Sequence, residues 1–320
     1  MNLGGLVGAL LPVFFVLALG YIAGKRNAFD ANQAAGLSKL AVSFALPASL
    51  FVGMTEIPRD LLLQQGRLVL ALILAHVGLF FVAWAALGLI QSMRGTPAIL
   101  YALMLSTSAT PVFGLAVLQP ILGPTATGAV GLVALSINLV VPATVVLLEV
   151  DAAKRRGTAK DSSTSSPVLT GLASGLKSPL LWAPIVGIAI VLAKVPLPRV
   201  IAACFQLIGS TTSGVAVFAV GLVLAAHAFQ LSRVVLLGTL GRLTVQNVVL
   251  LALLRLLHVN SPFAREALIC CSFPLATVVV LFAARYKSSE SETASMLLFS
   301  TLSLAITVPI ILWLTHHWPV

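Results

Sequence analysis

The chain has 320 residues, of which 59% are hydrophobic and only 9% charged, with a mean hydropathy of +1.08. A soluble domain carries about 25% charged residues, so a conventional water-soluble fold is excluded and lipid is the expected solvent. The net charge of +10 does not call for nucleic acid in so apolar a chain, because Lys and Arg collect in loops on the cytoplasmic side of a membrane.

Crossing the hydrocarbon core takes about 20 mostly apolar residues. In chain order, residues 6–24, 33–54, 68–90, 97–122, 125–150, 179–195, 201–226, 234–257, 262–284 and 293–314 qualify, which predicts ten transmembrane helices. The first has no Lys or Arg before it and Lys25-Arg26 after it. That is the reverse of a secretory leader, so it is read as a mature span. With the N-terminus outside, eleven cations from Lys25 to Lys287 fall at or near the inner face and six, from Arg59 to Arg265, at or near the outer. Cys204, Cys270 and Cys271 lie within spans, odd in number and without metal-ligand spacing. They read as small buried hydrophobes, with no disulfide, metal or cofactor implied.

Residues 149–177, with DAAKRRGTAKDSSTSSP at their centre, form the one polar stretch of any length. They divide the chain into a first unit, 1–150, a cytoplasmic linker, 151–178, and a second unit, 179–320. Each unit holds five predicted spans, an odd number, so the second enters the membrane in the opposite sense to the first, as inverted repeats do. The prolines echo this: Pro12 and Pro184 open the first span of each unit, Pro111 and Pro274 fall in the fourth, Pro142 and Pro309 in the fifth. The second spans correspond less well. Pro47 stands in one, and the run Gly209-Ser210-Thr211-Thr212-Ser213-Gly214 in the other. That run suits close helix packing, with substrate lining as the alternative.

The fourth and ninth spans carry the chemistry. STSATPVFGLAVL and CSFPLATVVVLF place proline and small hydroxylated residues where a spanning helix should be most regular. Proline removes a backbone donor and clashes with the preceding turn, and opened backbone at membrane depth is tolerated only within protein or beside a water-filled cavity. Two broken helices expose half-helix N-termini whose free N–H groups attract an anion. Thr107, Ser108 and Thr110 on one arm, with Ser272 and Thr277 on the other, supply hydroxyls. Asn138 in the fifth span either reaches the same centre or makes an interhelical hydrogen bond.

All nine acids sit in loops or near span ends, which disfavours cationic substrates and fits an anion. Among cations inside spans, Lys39 and Arg255 are expected to snorkel to an interface. Arg242, in GRLTVQNVVL with Gln246 and Asn247, is the side-chain candidate for pairing a carboxylate. His76, in LAHVGLF, reads as a packing group, with a proton relay as the alternative. No nucleophile elbow, Walker loop, HExxH or paired carboxylate is present, so nothing supports an enzyme.

From residue 11 to about 309, the runs LPVFFVLALGYIAGKRNAFD, LPASLF, SATPVFGLAVLQPILG and SFPLATVVVLFAARY resemble the auxin efflux carrier family, and within it the bacterial malonate-transporter-like members. The resemblance implies an all-α integral membrane fold of ten transmembrane helices in two inverted five-helix repeats, with crossed, broken fourth and ninth helices. It also implies movement of small organic anions such as carboxylates. Pro111 and Pro274 match the crossover prolines, and Phe113 and Gly114 follow within the same motif. Plant members often have asparagine beside these prolines; here Thr110 and Phe273 stand there, so the plant hormone is not the expected substrate. The short central loop points to a bacterial-type carrier in a plasma membrane. A homodimer is implied only by analogy. Two rivals remain open at this point: a sodium-coupled symporter of the bile-acid type, and a receptor that binds the anion without passing it.

Overall fold

The computed structural model describes residues 3–110, 114, 118, 126–157, 177–226, 232–259 and 263–317. Among them the regular elements are all helices and no strand forms. The elements are α1 (Leu3–Lys25), α2 (Ala31–Leu40 and Leu46–Thr55), α3 (Arg59–Gln64), α4 (Gly66–Gly88), α5 (Thr96–Ser106) and α6 (Ala126–Gly157). After the central linker come α7 (Pro179–Leu192), α8 (Arg199–Ala226), α9 (Arg233–Leu256), α10 (Ala264–Cys271), α11 (Thr277–Tyr286) and α12 (Glu290–His317). Five helical stretches of the described residues, within α2, α4, α6, α8 and α9, are long and apolar enough to cross a membrane. Shorter apolar helices include Phe14–Lys25, Thr96–Ser106, Pro179–Leu192 and Thr277–Tyr286.

The two halves of α2 are joined by a π-helical turn at Ala41–Ala45. Pro47 clashes with a carbonyl four residues earlier, at Ser43, so widening that turn lets the helix run on. A second π-helical turn, Leu74–Gly78, lies inside α4 and carries His76. Pro12, Pro142 and Pro184 sit within continuous helices.

Helix α1 lies along α8, and α7 along α2, with α8 also packed on α2. Glycines set these distances. A Cβ on Gly20 would stand 2.2 Å from Phe218 O, and one on Gly221 would stand 2.4 Å from Leu17 O, so α1 and α8 meet backbone to backbone as small residues permit. A Cβ on Gly209 would come within 2.9 Å of Ser49 N. Packing is therefore the role of this glycine. Ser210 and Thr211 beside it are spent on their own helix, donating to Leu207 O and Ile208 O.

A second group holds α4 on α5, α6 against α5 and α10, and α9 against α5, α10 and α12, while α11 packs both on α5 and α12 and on α2 and α8. Its interior holds Leu72, Val133, Ile137, Leu250, Ile269 and Phe273. At one end Asp151 of α6 caps α5, its Oδ2 accepting from Thr96 N at 3.0 Å and Thr96 Oγ1 at 2.7 Å, and pairs Arg155 at 2.8 Å. Gly95 precedes that helix at φ +80°, and its missing side chain admits the carboxylate, since a Cβ would lie 2.7 Å from Asp151 Oδ1.

Cys270 and Cys271 are buried as expected, but Cys204 is exposed. It shares α8 with the outward-facing Val200, Ile201, Phe205 and Leu207. On such a face a thiol meets lipid, where a small hydrophobe is equally at home.

Candidate functional site

Helix α5 ends at Ser106, and the chain turns extended at Thr107 (φ −128°, ψ 150°). Helix α10 ends at Cys271, and α11 does not begin until Thr277, behind an extended Ala276 (φ −65°, ψ 129°). These two unwound segments meet. Ser108 and Leu275 form an antiparallel bridge, and Ala109 N donates to Pro274 O at 2.8 Å. Residues 106–110 and 271–276 are all buried, so every backbone group freed by the unwinding needs a partner inside protein.

Helix α9 supplies two of those partners from one face, four residues apart. Gln246 Nε2 donates to Ser106 O at 3.0 Å, at the end of α5. Arg242 Nη2 donates to Phe273 O at 3.2 Å, in the opposite break. Ser300 of α12 supplies a third, accepting from Leu275 N at 3.0 Å. The breaks are thus stapled through side chains of α9 and α12.

The hydroxyls are spent locally. Thr107 donates to Leu103 O at 2.6 Å and Thr110 to Cys270 O at 2.9 Å, with Ser108 2.7 Å from Thr110 Oγ1. Ser272 lies 3.0 Å from Leu268 O and 3.3 Å from Asn247 Oδ1. Each hydroxyl has one hydrogen, so in this arrangement these four serve protein acceptors. Thr277 differs: it is half-buried at the first position of α11 and its hydroxyl has no partner among the described residues. Gly114 sits close against α6, where a Cβ would meet Val130 at 2.7 Å. Asn138 faces α2, its Nδ2 3.6 Å from where a Cβ on Gly53 would stand. Pro111 and Phe113 lie outside the described residues.

Arg242 is the outstanding group. Lys39 and Arg255 are exposed, as snorkelling requires, whereas Arg242 is 0% exposed. Among the described residues it has no ion-pair partner, and its Nε and Nη1 are buried without a hydrogen bond. Gln246 Oε1 is likewise unpartnered. An uncompensated buried guanidinium costs several kcal/mol, and its fork of donors matches a carboxylate in shape and charge. The α11 N-terminus lies on the same break, where no side chain caps the helix. A cavity of about 380 Å³ exists elsewhere, beside Thr55, Arg59, Asp60 and Lys194 at the ends of α2 and α7.

Sequence reasoning singled out Arg242 and the breaks. It missed Gln246 as the donor to the Ser106 carbonyl and Ser300 as the acceptor for the Leu275 N–H, for which a single glutamine or serine in an apolar helix gives no signal.

A helical chain with several stretches apolar enough to cross a membrane, its opened backbone lying beside a buried cation, has the architecture of a multi-pass membrane protein. The comparisons agree: residues 6–312 match the family model described as "Membrane transport protein", and the chain belongs to that family, which includes the auxin efflux carriers its motifs resemble. It is 32% identical over 308 residues to the uncharacterized transporter YfdV of Escherichia coli K12, covering 96% of each chain. The YfdV proteins of Escherichia coli O157:H7 and Shigella flexneri align equally.

Proposed function

We propose that this protein is a secondary carrier of small organic anions, malonate-like carboxylates foremost, working by alternating access around the paired breaks in a bacterial plasma membrane. The observation that carries the reading is Arg242: a fully buried guanidinium, hydrogen-bonded once to the backbone of a break and otherwise unpaired among the described residues. A carboxylate entering there pairs with Nε and Nη1, while the free N–H groups that open α11 present a second positive pole.

In this reading the chain forms ten spans in two inverted repeats, 1–150 and 179–320, joined by the linker 151–178. The fourth span (α5 and the residues after it) and the ninth (α10 and α11) cross at the Ser108–Leu275 bridge. Helices α1, α2, α7 and α8 make a frame, and the group holding the breaks shifts against it to expose the anion to either side. Thr277 belongs to the ninth-span arm of the site.

Counterflow of radiolabelled malonate into proteoliposomes of the purified protein, with and without sodium, tests this. Sodium-independent accumulation of label supports the reading. No exchange of malonate or of other small carboxylates, at any sodium concentration, refutes it.

A further inference from the structure

We propose that His76 couples anion movement to a proton: its imidazole binds a proton at Nε2 when an anion pairs with Arg242, and returns it when the anion leaves. This rests on the reading of Arg242 as the anion's partner and adds the coupling ion to it.

His76 occupies the π-helical turn of α4 and is 0% exposed. Its Nδ1 lies 2.8 Å from Leu72 O. A carbonyl only accepts, so Nδ1 carries the hydrogen and the neutral ring keeps Nε2 as an acceptor. Ser136 Oγ stands 3.2 Å from the same Nδ1 while its own hydrogen goes to Val133 O at 2.8 Å, so it accepts a second share of Nδ1–H. Two partners therefore fix the ring and its tautomer. They aim Nε2 at Cys271 Sγ, 3.9 Å away, where α10 ends at the ninth-span break. Packing alone needs no basic nitrogen turned toward that break.

The groups facing His76 are few. From α9 comes the charge of Arg242, from α10 the Cys271 thiol, and from α6 only the Ser136 hydroxyl. Tyr101, the one titratable side chain of α5, is turned to Ser289 and Glu292. Within α4 itself only Arg67 is charged, at the helix start. No carboxylate of the described residues faces the ring.

A second proton on His76 alone would set two cations in one buried cluster, and like charges there repel strongly. A bound carboxylate reverses the sign, so anion and proton each favour the other's binding by the same free energy. The proton comes from water on the side where the anion enters and leaves to water on the opposite side, one per anion. Meanwhile Cys271 Sγ accepts from Nε2–H and its thiol hydrogen rotates away. With a dicarboxylate, Arg242 and the imidazolium together match both negative charges.

The test uses the full-length protein in proteoliposomes, labelled malonate, a membrane potential clamped at zero and an outside one pH unit more acidic. Wild type should accumulate label towards about tenfold, the ratio of the proton concentrations. His76→Gln, which keeps a donor and an acceptor but binds no proton, should still exchange label at a reduced rate and hold a ratio near one under the gradient. Accumulation by His76→Gln equal to wild type would show that the proton rides on the anion itself, overturning the proposal. So would wild-type counterflow with no response to the gradient. A dye sealed inside wild-type liposomes gives an independent reading: malonate should acidify the lumen, and no acidification refutes the coupling even if the variant fails to fold. Absence of any wild-type carboxylate counterflow is a different failure, since it removes the carrier reading itself and this inference with it.

Discussion

Arg242→Met separates a ligand role for the guanidinium from a structural one, because the two predict opposite changes. The substitution removes one hydrogen bond, from Nη2 to Phe273 O, and two buried donors, Nε and Nη1, that no described residue satisfies. A hydrogen bond from a charged donor contributes about 1.5–3 kcal/mol. Against it stands the desolvation of an uncompensated cation, several kcal/mol in the other direction. The stability of the protein without anion should therefore change by less than about 2 kcal/mol, or rise. Affinity behaves otherwise: truncating one member of a buried charged pair costs about 2–5 kcal/mol, which is about 30-fold to several thousand-fold. Thermal unfolding of the purified protein, followed by tryptophan fluorescence across a malonate titration, reads both quantities. Wild type should melt at rising temperature as malonate is added. The variant should melt near the unliganded wild type, show no rise, and give no counterflow. A malonate-dependent rise equal to wild type would refute Arg242 as the anion's partner. A variant that melts far below wild type would instead make the guanidinium a structural pin for the break.

Three further outcomes follow from the packing. Gly221→Ala drives a Cβ to 2.4 Å from Leu17 O and 2.7 Å from Tyr21 N, so it should cost about 1–3 kcal/mol and lower the melting temperature; Gly36→Ala, with nothing within 4 Å, should be neutral or stabilising, and equal melting of the two would contradict the backbone contact. Pro274→Ala supplies the backbone N–H whose absence keeps the ninth span open, and should cut counterflow at least about tenfold at unchanged yield; wild-type transport would sink the argument for the break. Asp151→Ala leaves Thr96 N and Oγ1 without their acceptor and should cost about 1–2 kcal/mol as a lost helix cap, measured as a lower melting midpoint that Asp151→Asn largely restores.

Much of this protein was legible along the chain. Hydropathy alone made lipid its solvent, and the long helices within 31–55, 66–88, 126–157, 199–226 and 233–256 fall on predicted spans. The break at Pro274 was legible because proline acts locally: its missing N–H and its ring forbid a regular turn in any context. Pro12, Pro142 and Pro184 obey the same rule yet stay inside helices, so a proline marks where a helix can open rather than where it does. What separates the cases is whether partners wait for the freed groups. Ser300 does so for Leu275, and Gln246 for Ser106.

Arg242, Lys39 and Arg255 look alike in sequence, each a lone cation in or near an apolar run. Tertiary structure alone distinguished them, turning Arg242 inward and the other two outward. Hydroxyls adjacent to the breaks read as anion donors, but four of them serve carbonyls or each other in the fold. The sequence by itself determined the solvent, the spans and the weak points of the backbone, because those depend on each segment's own composition and local sterics. Tertiary packing decided which polar groups were satisfied and which were left with donors to offer, because that depends on neighbours brought together from distant parts of the chain.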